Sequence, residues 1–230
     1  MIKEDVKLKG QIHLVLRDEN NQVKYEFKEP QMVMNVAKAA MAALLGTGTQ
    51  KVAAIGLGTT NTAEAATQLH LAAEVTGGTN ARIATSYVVQ TTTTTDDSAQ
   101  FEAVFPAGNG TASLVEAGLF SDDMQGAVTF QVAADTVTLA SHGIPDGTPV
   151  YFSAISTTTG ISIDTKYFVR DTAANTFKLA LTVGGAAIDL TGADGTGTLS
   201  AGIMFARKTF GVITKGASDS LTITWKIQVA

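Results

Sequence analysis

Few side chains in this sequence have the types and the spacing that chemistry requires. The chain has no cysteine and three histidines, which excludes disulfides, thiolate metal sites and cysteine nucleophiles. Adjacent acids occur at Asp96–Asp97 and at Asp122–Asp123. A cation site needs several oxygens that converge from different loops, and neither pair supplies them alone. We therefore interpret both pairs as solvated turn residues.

Two charged residues stand inside otherwise apolar strand patterns. Glu116 lies within residues 113–120 (SLVEAGLF), and Arg207 lies within residues 202–210 (GIMFARKTF). If these segments pair as the arms of one hairpin, the two side chains are close enough for an ion pair that fixes the register. A catalytic acid is the alternative interpretation of Glu116, but no histidine or second acid is in reach of it. We expect a structural pair and no enzyme activity.

Alternation of apolar and polar residues predicts a mainly β fold for the chain. Residues 220–228 (SLTITWKIQ) alternate most clearly, and they place Trp225 on the apolar face, where a lone tryptophan is typical of a core. One short helix is expected at about residues 35–45, with Gly46 at its C-terminal cap. Further strands are predicted at residues 6–17, 23–28, 51–58, 82–90 and 100–105.

A long stretch separates the two arms of the predicted hairpin, and it has strand and turn signals of its own. Its short strands have the spacing of a small β-barrel or sandwich. We predict a discontinuous host domain, residues 1–126 plus 202–230, with residues 127–201 inserted as a second β-domain. An insertion between paired strands must project from the end of the sheet, so we expect it to be exposed.

The inserted domain contains aromatic residues of the kind that glycan sites use. Tyr151–Phe152 and Tyr167–Phe168 are adjacent pairs in predicted strands, so one ring of each pair points outward. We give Tyr151 and Tyr167 as a possible recognition surface for a host-surface glycan. Burial against the host domain or a neighbouring subunit is the competing interpretation. His142 lies in a turn, where a hydrogen bond to local backbone is expected.

Charge and hydropathy limit the partners of the chain. The net charge of −5 offers no attraction to phosphate backbones, so we expect no nucleic-acid partner. Charged residues make up 16% of the chain, against about 25% in an average globular protein. Such a composition fits either a surface packed against subunits or a Thr-coated β-protein.

Residues 36–45 are too short to cross a bilayer, and residues 1–5 do not resemble a secretory signal. We therefore expect a soluble protein made in a cytoplasm, without a membrane partner or a cofactor.

Several segments of the predicted insertion resemble a small β-module of tail-fibre and other virion proteins of tailed bacteriophages and prophages. They are residues 135–153 (DTVTLASHGIPDGTPVYFS), 166–171 (KYFVRD), 175–181 (NTFKLAL) and 184–199 (GGAAIDLTGADGTGTL).

The host domain is similar to a second phage structural family. Its matching segments are residues 55–63 (IGLGTTNTA), 115–120 (VEAGLF), 204–210 (MFARKTF), 213–215 (ITK) and 221–227 (LTITWKI). In that family the EAGLF strand runs through a short loop into the MFAR strand. This chain departs from the pattern because it carries the insertion in that loop.

The two resemblances imply a virion component of the neck, collar or tail. The implied host fold is a jelly-roll-like β-sandwich that assembles as a symmetric homo-oligomer and contacts other virion proteins. A receptor-binding tail protein is the alternative. The family pattern assigns no catalytic residue, and the expected location is the virion, after synthesis in the bacterial host cytoplasm.

Overall fold

The computed structural model describes residues 8–34, 51–75, 82–92, 95, 97–121 and 124–229. The chain divides into two compact units, Met1–Ser121 with Met204–Ala230, and Asp122–Ile203. We call the first unit the sandwich and the second the barrel. The fold is mainly β, as the alternation predicted. The helix expected at about residues 35–45 lies outside the described residues.

The sandwich is built from one antiparallel sheet of nine strands. Its strands are β1 (Leu8–Arg17), β2 (Val23–Val33), β3 (Ala54–Gly58), β4 (Arg82–Ala84), β5 (Ser86–Gln90), β6 (Ser98–Phe105), β7 (Ala112–Phe120), β16 (Met204–Lys215) and β17 (Ser220–Val229). The spatial order is β4-β3-β7-β16-β2-β1-β17-β6-β5. Only Thr85 separates β4 from β5 in the chain. β4 and β5 are the two edge strands of the sheet, so its two edges come together at Thr85. The sheet therefore curves round and encloses the core between its halves.

Alternating side chains of neighbouring strands fill the inside of the sandwich. The register sets Ile12 of β1 opposite Trp225 of β17, and Trp225 opposite Phe101 of β6. All three side chains are buried. Residues directly opposite each other in a sheet share a face, so each such row adds a layer of apolar contact.

The two arms of the predicted hairpin pair as expected. β7 and β16 run antiparallel, from Phe120 opposite Met204 to Ala112 opposite Lys215, with a register shift between Thr209 and Ile213. β16 also pairs with the end of β2, whose earlier residues pair with β1. β2 thus passes from one part of the sheet to the other, and this leaves a corner between β1 and β16.

The barrel is a closed ring of strands in the order β10-β12-β13-β9-β8-β15. Its elements are β8 (Gln125–Gln131), β9 (Thr136–Thr138), β10 (Pro149–Ile155), β11 (Thr158–Thr159), β12 (Tyr167–Arg170), β13 (Thr176–Ala180), β14 (Thr191–Gly192) and β15 (Gly195–Ala201), with a 3₁₀ turn at Val132–Ala134. β11 and β14 pair with each other outside the ring. Closure leaves the ring no free edge, and large apolar residues such as Phe130, Phe152 and Phe177 fill its interior.

The start of the barrel differs from the sequence-based boundary by a small shift. Sequence patterns placed residues 125 and 126 in the host domain. In the structure, Gln125 pairs with Ser200 and Gly126 pairs with Leu199, so both belong to the first barrel strand. A polar Gln-Gly pair before an apolar run reads as a turn, and only the partner strand identifies it as paired backbone.

Candidate functional site

Strand pairing between β7 and β16 brings Glu116 and Arg207 together. Thr209 lies opposite Glu116, and Arg207 is two residues from Thr209, so its side chain is a diagonal neighbour on the same face. The distance from Arg207 Nε to Glu116 Oε2 is 2.7 Å, and the distance from its Nη2 to the same oxygen is 2.6 Å. Both side chains are fully buried.

This ion pair also fixes residues 59–75, the described part of the chain between β3 and β4, which we call the connecting loop. Arg207 donates through Nη1 to Gln68 Oε1 at 3.0 Å and through Nη2 to the carbonyl of Thr62 at 3.0 Å. Glu116 Oε1 accepts the backbone N–H of Ala73 at 3.1 Å. The pair therefore satisfies backbone groups that the loop would otherwise bury without partners.

Two further acids hold the connecting loop to the sheet. Glu74 accepts Arg82 Nε at 2.7 Å and Arg82 Nη2 at 3.0 Å, a bidentate pair with both side chains buried. The Arg82 guanidinium lies 3.6 Å from the centroid of the Phe120 ring. Glu64 accepts both the backbone N–H and the hydroxyl of Thr209, each at 2.9 Å. The loop is thus pinned at three separated points.

The geometry around Glu116 does not suit acid–base chemistry. Its carboxylate is fully buried, and its oxygens already accept hydrogen bonds from Arg207 and Ala73. A general acid or base must reach a reacting atom of a substrate. Gly58 lies directly opposite Glu116, and a side chain at this glycine would occupy the space of the carboxylate. The glycines at positions 56 and 58 therefore permit close packing of β3 against the side chains of Glu74 and Glu116.

A second buried charge cluster lies at the turn between β16 and β17. Lys215 donates to the carbonyls of Pro106 at 3.0 Å and Asp219 at 2.7 Å. Burial lowers the pKa of Lys215, and the nearby Asp219 charge opposes this shift. Hydrogen bonds from Lys24 and from the N–H of Gly216 lower the pKa of Asp219. Sequence reasoning missed this cluster, although Lys215 is two residues from buried Ile213 in one strand.

Of the aromatic residues singled out from the sequence, Trp225, Tyr151, Phe152 and Tyr167 are buried, and Phe168 is half-buried. Trp225 is fully buried in the sandwich, and its indole nitrogen has no hydrogen-bond partner. Tyr151 is 0% exposed and Tyr167 is 3% exposed, so the proposed recognition surface on these tyrosines is wrong. Tyr167 accepts the N–H of Ser162 at 2.7 Å. The hydroxyl of Tyr151 has no partner, and burial raises its pKa to about 12.

Two further candidate residues, His142 and Asp97, make hydrogen bonds within the fold. His142 accepts the backbone N–H of Ile144 at 3.0 Å, which confirms the predicted local hydrogen bond, and its ring lies edge-on to Phe177. Asp97 accepts Gln228 Nε2 at 3.0 Å. Asp96, Asp122 and Asp123 lie outside the described residues.

The described part of the chain contains neither a cluster of metal-ligating side chains nor a membrane-spanning helix. Within residues 8–34, 51–75, 82–92, 95, 97–121 and 124–229, no group of three or more potential metal-ligating side chains occurs. In the same residues, no helix is both long and apolar enough to span a bilayer.

Comparison of the chain with models of known protein families, with curated proteins and with solved structures finds no match.

Proposed function

We propose that this chain is a structural component of a tailed-phage particle, at the neck, collar or tail, and that it assembles as a symmetric homo-oligomer. The observation that carries the proposal is a closed barrel inserted between β7 and β16, two paired strands of another unit. The segments that resemble the virion β-module all lie in the barrel, at residues 135–199. The segments that resemble the second phage family all lie in the sandwich. Each resemblance thus coincides with one compact unit.

The buried charges favour a scaffold over an enzyme. Glu116, Arg207, Glu74 and Arg82 fix a long loop to the sheet, and their hydrogen bonds go to each other, to the Gln68 side chain and to backbone. A buried ion pair is weak evidence for net stability, and we infer that these pairs serve to fix the arrangement of the loop on the sheet. In a symmetric assembly every subunit presents the same surface to its neighbours, and a loop held in one conformation would provide such a surface. The hypothesis that the barrel binds a glycan rested on exposed rings of Tyr151 and Tyr167, and both residues are buried.

Native mass spectrometry of the full chain, combined with mass photometry over a range of concentrations, tests the proposal. We expect one closed assembly with a fixed copy number. A chain without the barrel should keep that copy number if the sandwich makes the contacts between subunits. A chain that is monomeric at every concentration, and that binds no neck or tail protein, would contradict the proposal.

A further inference from the structure

Strand β5 lies at an edge of the sandwich sheet and pairs on one side alone. Thr85 N donates to the carbonyl of Ala53 at 2.8 Å, immediately before β5 begins. From Ser86 to Gln90 the backbone pairs with β6. Among the described strands, β6 is the only neighbour of β5. A strand at the end of a sheet presents a row of unpaired N–H and C=O groups on its outer side.

Both faces of β5 are exposed as well. Tyr87 lies opposite Phe101 in the register, and their ring centroids are 5.4 Å apart. Phe101 is 7% exposed, whereas Tyr87 is 59% exposed, so the apolar inner face of the sheet continues to an exposed edge. Val88 points to the outer face and is 51% exposed, and the next residue, Val89, is 43% exposed. Three consecutive large apolar side chains thus flank the unpaired backbone edge.

The sequence of this edge lacks the features that prevent strand pairing. Natural edge strands commonly carry charged residues or proline, which discourage pairing with another chain. Residues 83–92 contain neither, although the whole chain has a net charge of −5. Two copies of the chain therefore repel each other on average, and an uncharged strand lets them meet without placing like charges opposite each other. The composition of the edge thus favours a second copy of this chain as its occupant.

The sequence of β5 also matches itself in an antiparallel arrangement. Val88 is the middle residue of the five, so a two-fold axis at Val88 pairs the whole strand with its copy. Tyr87 then lies opposite Val89 of the copy, and pairs of aromatic and β-branched side chains stabilise sheets. Ser86 lies opposite Gln90 of the copy, and Val88 opposite Val88. Each cross-strand pair is therefore compatible in size and free of charge.

We propose that β5 pairs with β5 of a second copy of the chain and joins the two sandwich sheets into one. The inference rests on the homo-oligomer of the proposed function and names the contact within it. Because a two-fold contact uses the same strand of both subunits, the assembly has an even number of copies. A pairing of five residues is smaller than a standard protein interface, so we expect association to depend on concentration.

Charge substitutions at the centre of β5 test the pairing. Val88→Lys places two ammonium groups opposite each other, so it should weaken association about tenfold or more in sedimentation velocity. Val88→Glu should weaken association to a similar degree. An equal mixture of the two variants should associate more tightly than either variant alone, because a lysine then lies opposite a glutamate.

Val104→Lys is the matched control for these substitutions. Val104 is 47% exposed, and it lies on the same face as Val88 but in the neighbouring strand β6, away from the edge. Association of this variant should not change. Trp225 fluorescence checks that each variant keeps the sandwich folded, since Trp225 is buried in its core.

Hydrogen exchange of the unsubstituted chain gives a second test. Amides of residues 86–90 should exchange more slowly when the chain is assembled than when it is diluted to monomers. Unchanged association of Val88→Lys, no recovery in the mixture, unchanged exchange at residues 86–90 or an odd copy number would overturn this inference and leave the proposed function standing. A chain that is monomeric at every concentration would overturn the inference, and without binding to a neck or tail protein it would contradict the proposed function as well.

Discussion

The sandwich and the barrel bury polar groups in different ways. Among the described residues, the buried polar side chains of the barrel are His142, Thr148, Thr158 and Ser200. The sandwich encloses charged side chains, namely Arg82, Glu116, Arg207, Lys215 and Asp219. The barrel closes its own ring of backbone hydrogen bonds, whereas the sandwich must fix a long connecting loop to a sheet. Buried charge thus occurs where a loop is anchored, and apolar packing suffices where the strands close on themselves.

The largest expected effect comes from breaking the central ion pair of the sandwich. Arg207→Met leaves Glu116 buried without its cation and should lower the free energy of unfolding by about 3–5 kcal/mol. Urea denaturation followed by Trp225 fluorescence measures this loss, because the only tryptophan lies in the sandwich core. An exposed pair of the same sheet supplies a control: Glu26 Oε1 lies 2.8 Å from His13 Nε2, and the Glu26 side chain is 62% exposed. Glu26→Gln should cost about 1 kcal/mol or less, and equal losses for the two variants would contradict the comparison.

The two buried tyrosines of the barrel give a smaller, paired test. Tyr167→Phe deprives the Ser162 N–H of its acceptor and should lower the free energy of unfolding by about 1 kcal/mol. Tyr151→Phe removes a hydroxyl that has no partner, so it should leave stability unchanged or raise it by up to about 1 kcal/mol. Differential scanning calorimetry measures both variants. Equal destabilisation by the two substitutions would show that Tyr151 has a hydrogen bond.

The smallest expected effect is the acid sensitivity that Asp219 gives to the sandwich. Lys24 and Gly216 lower its pKa in the folded chain, so the unfolded chain takes up a proton first as the pH falls. The stabilisation is therefore present above about pH 4, and it is lost as the pH falls from there through the folded pKa. Asp219→Asn should flatten the dependence of stability on pH below about pH 5 when Trp225 reports unfolding. Asp189→Asn, an exposed position of the barrel, is the control. An unchanged slope for Asp219→Asn would contradict the assignment.

Sequence patterns predicted the strands and the central ion pair because both leave a local signal. Glu116 and Arg207 each interrupt an apolar run, and alternation placed Trp225 on the inner face of β17. Arg82 and Lys215 left no such signal, since each stands at the end of a strand, where a charged side chain is ordinarily solvated. Lys215 is buried through the carbonyl of Pro106, which is distant in the sequence.

The tyrosines show why the recognition surface could not be predicted. Alternation gives the direction of a side chain along a strand, but exposure also depends on what covers each face. In β10, the consecutive residues Val150, Tyr151 and Phe152 are all 0% exposed.

Excision of the barrel tests most directly the central claim that the sandwich is a folding unit interrupted by an insertion. Phe120 and Met204 lie opposite each other in β7 and β16, so an Asn-Gly turn that replaces residues 121–203 should close the hairpin. We predict that this shortened chain unfolds in one cooperative transition, with Trp225 buried as in the full chain. A shortened chain without cooperative unfolding, or with a solvent-exposed Trp225, would contradict the account.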